Sequence, residues 1–295
     1  MTGPDLRSRF RAALRAVGWS LAFVLVGFLF TTLLVSLWGL LVEGSVQGGL
    51  ARLRASGVES ALVQGSASLT GFLAATWVVG FGPAGLRRAD LRWAPPREGI
   101  RGFLVGLLLG IAPAALALGA SVLLGGAVWL RDDGSLADYA VRVGLTALVL
   151  APAALSEEVI FRGVPLVLLG RVLGRITAVV AIAALFGVAH LFNPQVTPLG
   201  VGNIALAGVF LGLAFYAPGG VWTAFGAHLG WNATLAALDA PVSGLPFDIP
   251  YLDYHPGGPA WLTGGAFGPE GGVLATLTIT AAVLVTARLA RKELA

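Results

Sequence analysis

Long apolar stretches alternate with short polar or Gly- and Pro-bearing segments along the whole chain. They run approximately from Trp19 to Val42, Leu62 to Phe81, Gly102 to Leu130, Val143 to Leu169, Ile176 to Phe192, Leu199 to Ala217, Val221 to Leu238 and Val273 to Ala287. A helix needs roughly 20 mainly apolar residues to cross the hydrocarbon core, because each residue rises about 1.5 Å and the core is about 30 Å thick. The pattern therefore predicts an all-α, polytopic transmembrane helix bundle of about eight spans, forming one membrane domain over residues 1–295. The fifth and eighth stretches are short for a span, and the third is long enough to tilt. The first stretch follows Arg7, Arg9, Arg11 and Arg15, as a secretory signal would. It is too long for a signal's apolar region and no clear small-residue cleavage site follows, so it is read as an uncleaved span.

Composition agrees with a bilayer as solvent: 57% of the 295 residues are hydrophobic and 12% charged, with a mean hydropathy of +0.85. Cysteine is absent, which excludes disulfides, thiolate metal sites and cysteine nucleophiles. Charge placement tests the span count, since Lys and Arg favour cytoplasmic loops. With the N-terminus inside, the inner segments hold Arg7, Arg9, Arg11, Arg15, Arg87, Arg88, Arg92, Arg97, Arg101, Arg171, Arg175, Arg288, Arg291 and Lys292. Only Arg52, Arg54, Arg131 and Arg142 fall outside, and Arg162 lies within a span. Fourteen cations against four support eight spans with both termini cytoplasmic. Richness in Ala, Gly and Arg with a single Lys is read as the mark of a GC-rich bacterium, and the expected location is a bacterial cell membrane.

The segment from Asp239 to Gly272 has no Lys or Arg and carries Phe247, Tyr251, Tyr254 and Trp261. It reads as an external loop, ordered or lying at the interface, with substrate contact as a second reading. Gly208 with Gly212, and Gly226 with Gly230, suit close helix packing. No internal repeat is visible.

The residues that break the apolar pattern carry the chemistry. An ionisable group inside a span costs a few kcal/mol unless it finds partners, which makes Glu157, Glu158, Arg162, His190 and His228 functional candidates, with Asn232 as a strong hydrogen-bonding group. Glu158 and Arg162 are four residues apart, so they share a helix face and suit a structural ion pair. Glu157 is rotated by about 100° from Glu158 and has no basic residue at helical spacing. It is the better candidate for chemistry. His228 and Asn232 present two hydrogen-bonding groups on one helix face, beside Gly226 and Gly230. His190 alone on an apolar helix reads more often as packing than as catalysis; three spans each bringing such a group change that balance. Ser156 has no His or Asp placed to make it a triad member, and His255 reads as a surface residue of the loop.

Taken in order, Glu157-Glu158-Val159-Ile160-Phe161-Arg162 fits EExxxR, Phe186 to His190 fits FxxxH, and His228 to Asn232 fits HxxxN. On successive apolar stretches the three resemble the signature of the CPBP intramembrane proteases, the glutamic or metallo endopeptidase family that includes the type II CAAX prenyl endopeptidases and the bacterial Abi proteins. The resemblance covers roughly Leu155 to Leu238, inside a core taken as 143–238, and no motif matches in the first three spans or the last. It implies an intramembrane endopeptidase acting on a membrane-associated protein or peptide. The composition of a GC-rich bacterium makes a prenylated substrate less expected. Glu157 resembles the glutamate that activates a water together with His190, His228 and Asn232 resemble the pair that stabilises the oxyanion, and Glu158 and Arg162 match the structural glutamate and arginine. No cofactor and no nucleic-acid partner is expected; membrane lipid and a peptide substrate are.

Two other chemistries fit the same residues. Glu157, His190 and His228 can supply three ligands to zinc with a fourth position for water, although no HExxH helix is present. A proton relay, a transporter or a non-proteolytic immunity protein also places carboxylates and histidines inside a membrane.

Overall fold

The computed structural model describes residues 6–55 and 57–294. Its main helices are α1 (Leu6–Glu43), α2 (Val46–Ala55), α3 (Gly57–Ala75), α4 (Pro96–Gly125), α5 (Leu136–Arg162), α6 (Val164–Leu173), α7 (Arg175–Ala189), α8 (Pro198–Tyr216), α9 (Val221–Ala237), the short α10 (Ala260–Thr263) and α11 (Val273–Leu294). A helix lies on each of the eight apolar stretches, and the chain is an all-α polytopic membrane protein. Among the described residues, six helical segments are long and apolar enough to cross a membrane: Leu6–Glu43, Gly57–Gly80, Pro96–Gly125, Leu136–Leu173, Pro198–Tyr216 and Val273–Leu294. α7 and α9 have 15 and 17 residues. On α1, Phe28, Leu29 and Leu33 are each more than half exposed, as a lipid-facing surface requires.

The chain's contacts fall into two compact units, Met1–Trp93 with Ala151–Ile182, and Ala94–Leu150 with Ala183–Ala295. In the first, α1 packs on α3 around Phe72, which meets Phe23 and Phe28 edge to face at 5.4 and 5.3 Å. Gly27 makes this possible, since a Cβ there would strike the Phe72 ring. One π-helical turn, Thr76–Gly80, extends α3. Asp90, in the next turn of the chain, accepts from Arg171 of α6 at 2.9 Å and from the Arg87 amide at 2.7 Å. Burial pushes the Asp90 carboxyl up, and these bonds outweigh it, leaving the group below the ordinary carboxylate range. The apolar stretch expected to run unbroken from Val143 to Leu169 breaks at Gly163, whose φ and ψ are −80° and −125°. A side chain at 163 would strike the Val159 carbonyl, and Pro165 starts α6 where its missing N–H costs nothing.

In the second unit α4 and α9 touch backbone to backbone. A Cβ on Gly106 would meet the Thr223 carbonyl and one on Gly110 that of Ala227, while from the other side Gly226 abuts Phe103 and Gly230 abuts Leu107. Contacts advance together along both helices, so α4 and α9 are parallel. Gly208 rests against Ala183, and Gly187 against Val201 and Ala205, which makes α7 and α8 antiparallel.

The third apolar stretch does not stay helical to Leu130. Gly126 takes a left-handed φ of 72° and ends α4, after which β1 (Val128–Arg131) pairs antiparallel with β2 (Leu252–His255). The loop from Asp239 onward is held by its own polar groups. Asp239 accepts from the Ile249 and Tyr254 amides at 2.9 and 3.1 Å. The last carbonyls of α9, orphaned at any helix end, accept from Tyr139 (Ala237, 3.1 Å) and Trp129 (Leu238, 2.7 Å). His255 is exposed as expected, but it has a partner in Asp253 at 2.8 Å.

Candidate active site

Glu157, Glu158 and Arg162 occupy the last two turns of α5, in the first unit. Glu158 and Arg162 are fully buried, and Arg162 donates from Nη1 to Glu158 Oε1 at 3.2 Å, the pair expected from their spacing. Arg162 also lies near the Phe161 ring, 5.9 Å from its centroid. Glu157 is half-buried. Its charge acts on Arg162 alongside that of Glu158, so a guanidinium four and five residues away serves both carboxylates. That corrects the view of Glu157 as lacking a counter-charge on its own helix, because a long Arg side chain reaches across more than one helical position.

His190, His228 and Asn232 belong to the second unit. α7 ends at Ala189, so His190 stands in the turn just past the helix rather than within it. There its Nδ1 donates to the Phe186 carbonyl at 2.7 Å, satisfying a last-turn carbonyl. That bond gives the four-residue spacing of FxxxH a physical basis, and in the neutral ring it leaves the lone pair on Nε2. The Phe186 ring packs 4.7 Å from the His190 ring and meets His228 edge-on at 6.0 Å. His228 is buried in α9, and Asn232 stands one turn later on the same face, half-buried. Within either unit, among the described residues, no three His, Asp or Glu side chains gather as a metal set. The three zinc ligands considered from the sequence are drawn from both units.

One buried carboxylate was not singled out in the sequence. Glu270 lies in the loop ahead of α11, where Oε1 accepts from Trp231 Nε1 at 3.1 Å and Oε2 accepts from the Ser243 hydroxyl and amide at 2.8 and 2.5 Å. Its backbone carbonyl accepts from Asn203 at 2.8 Å. Burial pushes the Glu270 carboxyl up and outweighs Ser243, the nearby charge of His190 and Trp231, which pull it down, so the group stays above the ordinary carboxylate range. The one sequence signal is its place in Gly-Pro-Glu-Gly-Gly, a carboxylate in a loop with no cation.

Residues 139–234 match the family model for type II CAAX prenyl endopeptidase Rce1-like proteins. The match supports CPBP family membership. All six motif positions, Glu157, Glu158, Arg162, His190, His228 and Asn232, lie within the matched segment, whereas Glu270 lies beyond it. Comparison with curated proteins and with solved structures yields no match.

Proposed function

We propose that the chain is an intramembrane endopeptidase that uses water as the nucleophile on a peptide bond of a membrane-associated substrate. The observation that carries this reading is the set of three motifs, intact and in order, inside the matched segment. Local geometry supports it: a buried Glu158–Arg162 pair sits beside Glu157, and a hydrogen bond fixes the His190 tautomer.

In this reading Glu157 and His190 take the proton of a water as its oxygen adds to the peptide carbonyl. His228 and Asn232 donate to the oxyanion, and the proton passes to the departing amine as the C–N bond breaks. Loss of a positioned general base costs typically about 10²- to 10⁴-fold in rate, and loss of one oxyanion donor about 10²- to 10³-fold. Glu158 and Arg162 hold the end of α5. The family's name points to a C-terminal prenylated peptide as the first substrate to offer, beside unmodified peptides.

The test is cleavage of prenylated and unmodified peptide libraries by purified protein in nanodiscs, with and without a zinc chelator. Glu157→Gln keeps the side chain's shape and removes its basicity, so cleavage should fall by about 10²- to 10⁴-fold while wild-type cleavage survives the chelator. Full activity in the variant rejects Glu157 as the base, and chelator-sensitive cleavage favours zinc at the same residues. Folded wild-type protein that cleaves nothing points to a binding or transport role.

A further inference from the structure

A buried carboxylate is hard to account for as packing. An apolar group of the same shape would usually hold the fold as well or better, because removing an ion from water is expensive. Glu270 is buried nonetheless, and the donors to its carboxylate, Trp231 and Ser243, lead to the histidine motifs. Trp231, which donates to Oε1, stands between His228 and Asn232 on α9. Ser243, which donates twice to Oε2, accepts at its carbonyl from Asn193 Nδ2 at 3.0 Å. Asn193 in turn donates its amide to the His190 carbonyl at 3.1 Å. Ser243 holds a left-handed φ of 50°, a conformation that a residue with a side chain rarely adopts and that the two bonds to Glu270 fix in place. Thus one carboxylate ties the turn carrying His190 to the helix carrying His228 and Asn232, all within one unit.

We propose that Glu270 is a positioning residue of the candidate active site, holding His190, His228 and Asn232 in register through Ser243 and Trp231. Its consequence for catalysis rests on the endopeptidase reading; the positioning does not. Phe186, which packs against the rings of both His190 and His228, joins the two histidines so held.

The chain has three histidines, so protein labelled with ¹³C at the ring Cε1 gives three signals, assignable with His→Gln variants. In nanodiscs at one fixed pH, the His190 and His228 signals should both move in Glu270→Gln, and the His255 signal should stay in place. Where peptide cleavage is measurable, kcat should fall about tenfold with KM unchanged. Folded Glu270→Gln with unmoved His190 and His228 signals overturns the proposal. Should that variant not fold, Ser243→Ala removes one bond to the carboxylate and keeps the amide, and an unmoved His190 signal there overturns it equally. Wild-type protein that cleaves no peptide, but whose His190 and His228 signals respond to Glu270→Gln, sinks the endopeptidase reading and leaves the positioning role intact.

Discussion

Glu157 and Glu158 are chemically identical neighbours that differ in burial, and stability measurements separate them. Glu158 and Arg162 are both fully buried, so removing the Glu158 charge takes from Arg162 the carboxylate it hydrogen-bonds in a dry environment and leaves it only the more exposed Glu157, at a cost of up to about 3–5 kcal/mol. Glu158→Gln should lower the unfolding free energy by that amount, measured by chemical denaturation in detergent. The double variant Glu158→Leu with Arg162→Met should recover most of it, because neither fully buried position then carries a charge. A loss below about 1 kcal/mol in Glu158→Gln would remove the structural role and make Glu158 a candidate for chemistry. The pair was legible in the sequence because its geometry is local, set by the four-residue repeat of a helix. Glu270 was not, since its donors stand 27 and 39 residues away and nothing in the intervening sequence pairs them. The reach of Arg162 to Glu157 escaped for a related reason: it depends on a side-chain conformation rather than on spacing.

At the scale of elements, Gly226 and Gly230, one of the two glycine pairs predicted to suit close packing, mark where α4 and α9 meet. In a bilayer no hydrophobic force drives one apolar helix onto another, so small residues that let backbones approach supply much of the association. Gly226 has the Phe103 carbonyl where a Cβ would stand, and a larger residue must push α9, with His228 and Asn232, off α4. Gly226→Leu should therefore cost at least about 1–3 kcal/mol and lower the thermal midpoint, whereas Gly18→Leu on α1, with nothing within 4 Å of its Cβ position, should be near neutral. Equal effects at the two sites would show that backbone contact is not what Gly226 provides. Helices read well from the sequence because apolar length is a local property. Their ends read less well: Gly126 and Gly163 stop helices inside apolar stretches that continue past them. Beyond Gly126 the chain turns extended because β1 pairs with β2, a partner far along the sequence that no local pattern reveals.

For the molecule as a whole, the open quantity is how many helices cross the bilayer, since α7 and α9 are shorter than the six long apolar segments. The direction of α9 discriminates. If only the six long segments cross, two crossings, α5 with α6 and then α8, separate the end of α4 from the start of α9. That places the start of α9 on the side where α4 ends. If α7 crosses too, the start of α9 lies on the side where α4 starts, which is what a parallel α4 and α9 require. Contacts between these helices advance together, Gly106 on Thr223 and then Gly110 on Ala227, and so favour the eight-span reading drawn from the placement of Arg and Lys. The absence of native cysteine allows a clean test with single introduced thiols. Pro194 and Pro218 are exposed in the turns before and after α8. With eight spans, Pro194→Cys should react with an impermeant maleimide from outside the cell, and Pro218→Cys only after the cytoplasmic side is opened. Six spans exchange the two results, placing the turn after His190 on the cytoplasmic face and the start of α9 outside. The labelling therefore also fixes from which side a peptide reaches the turn carrying His190.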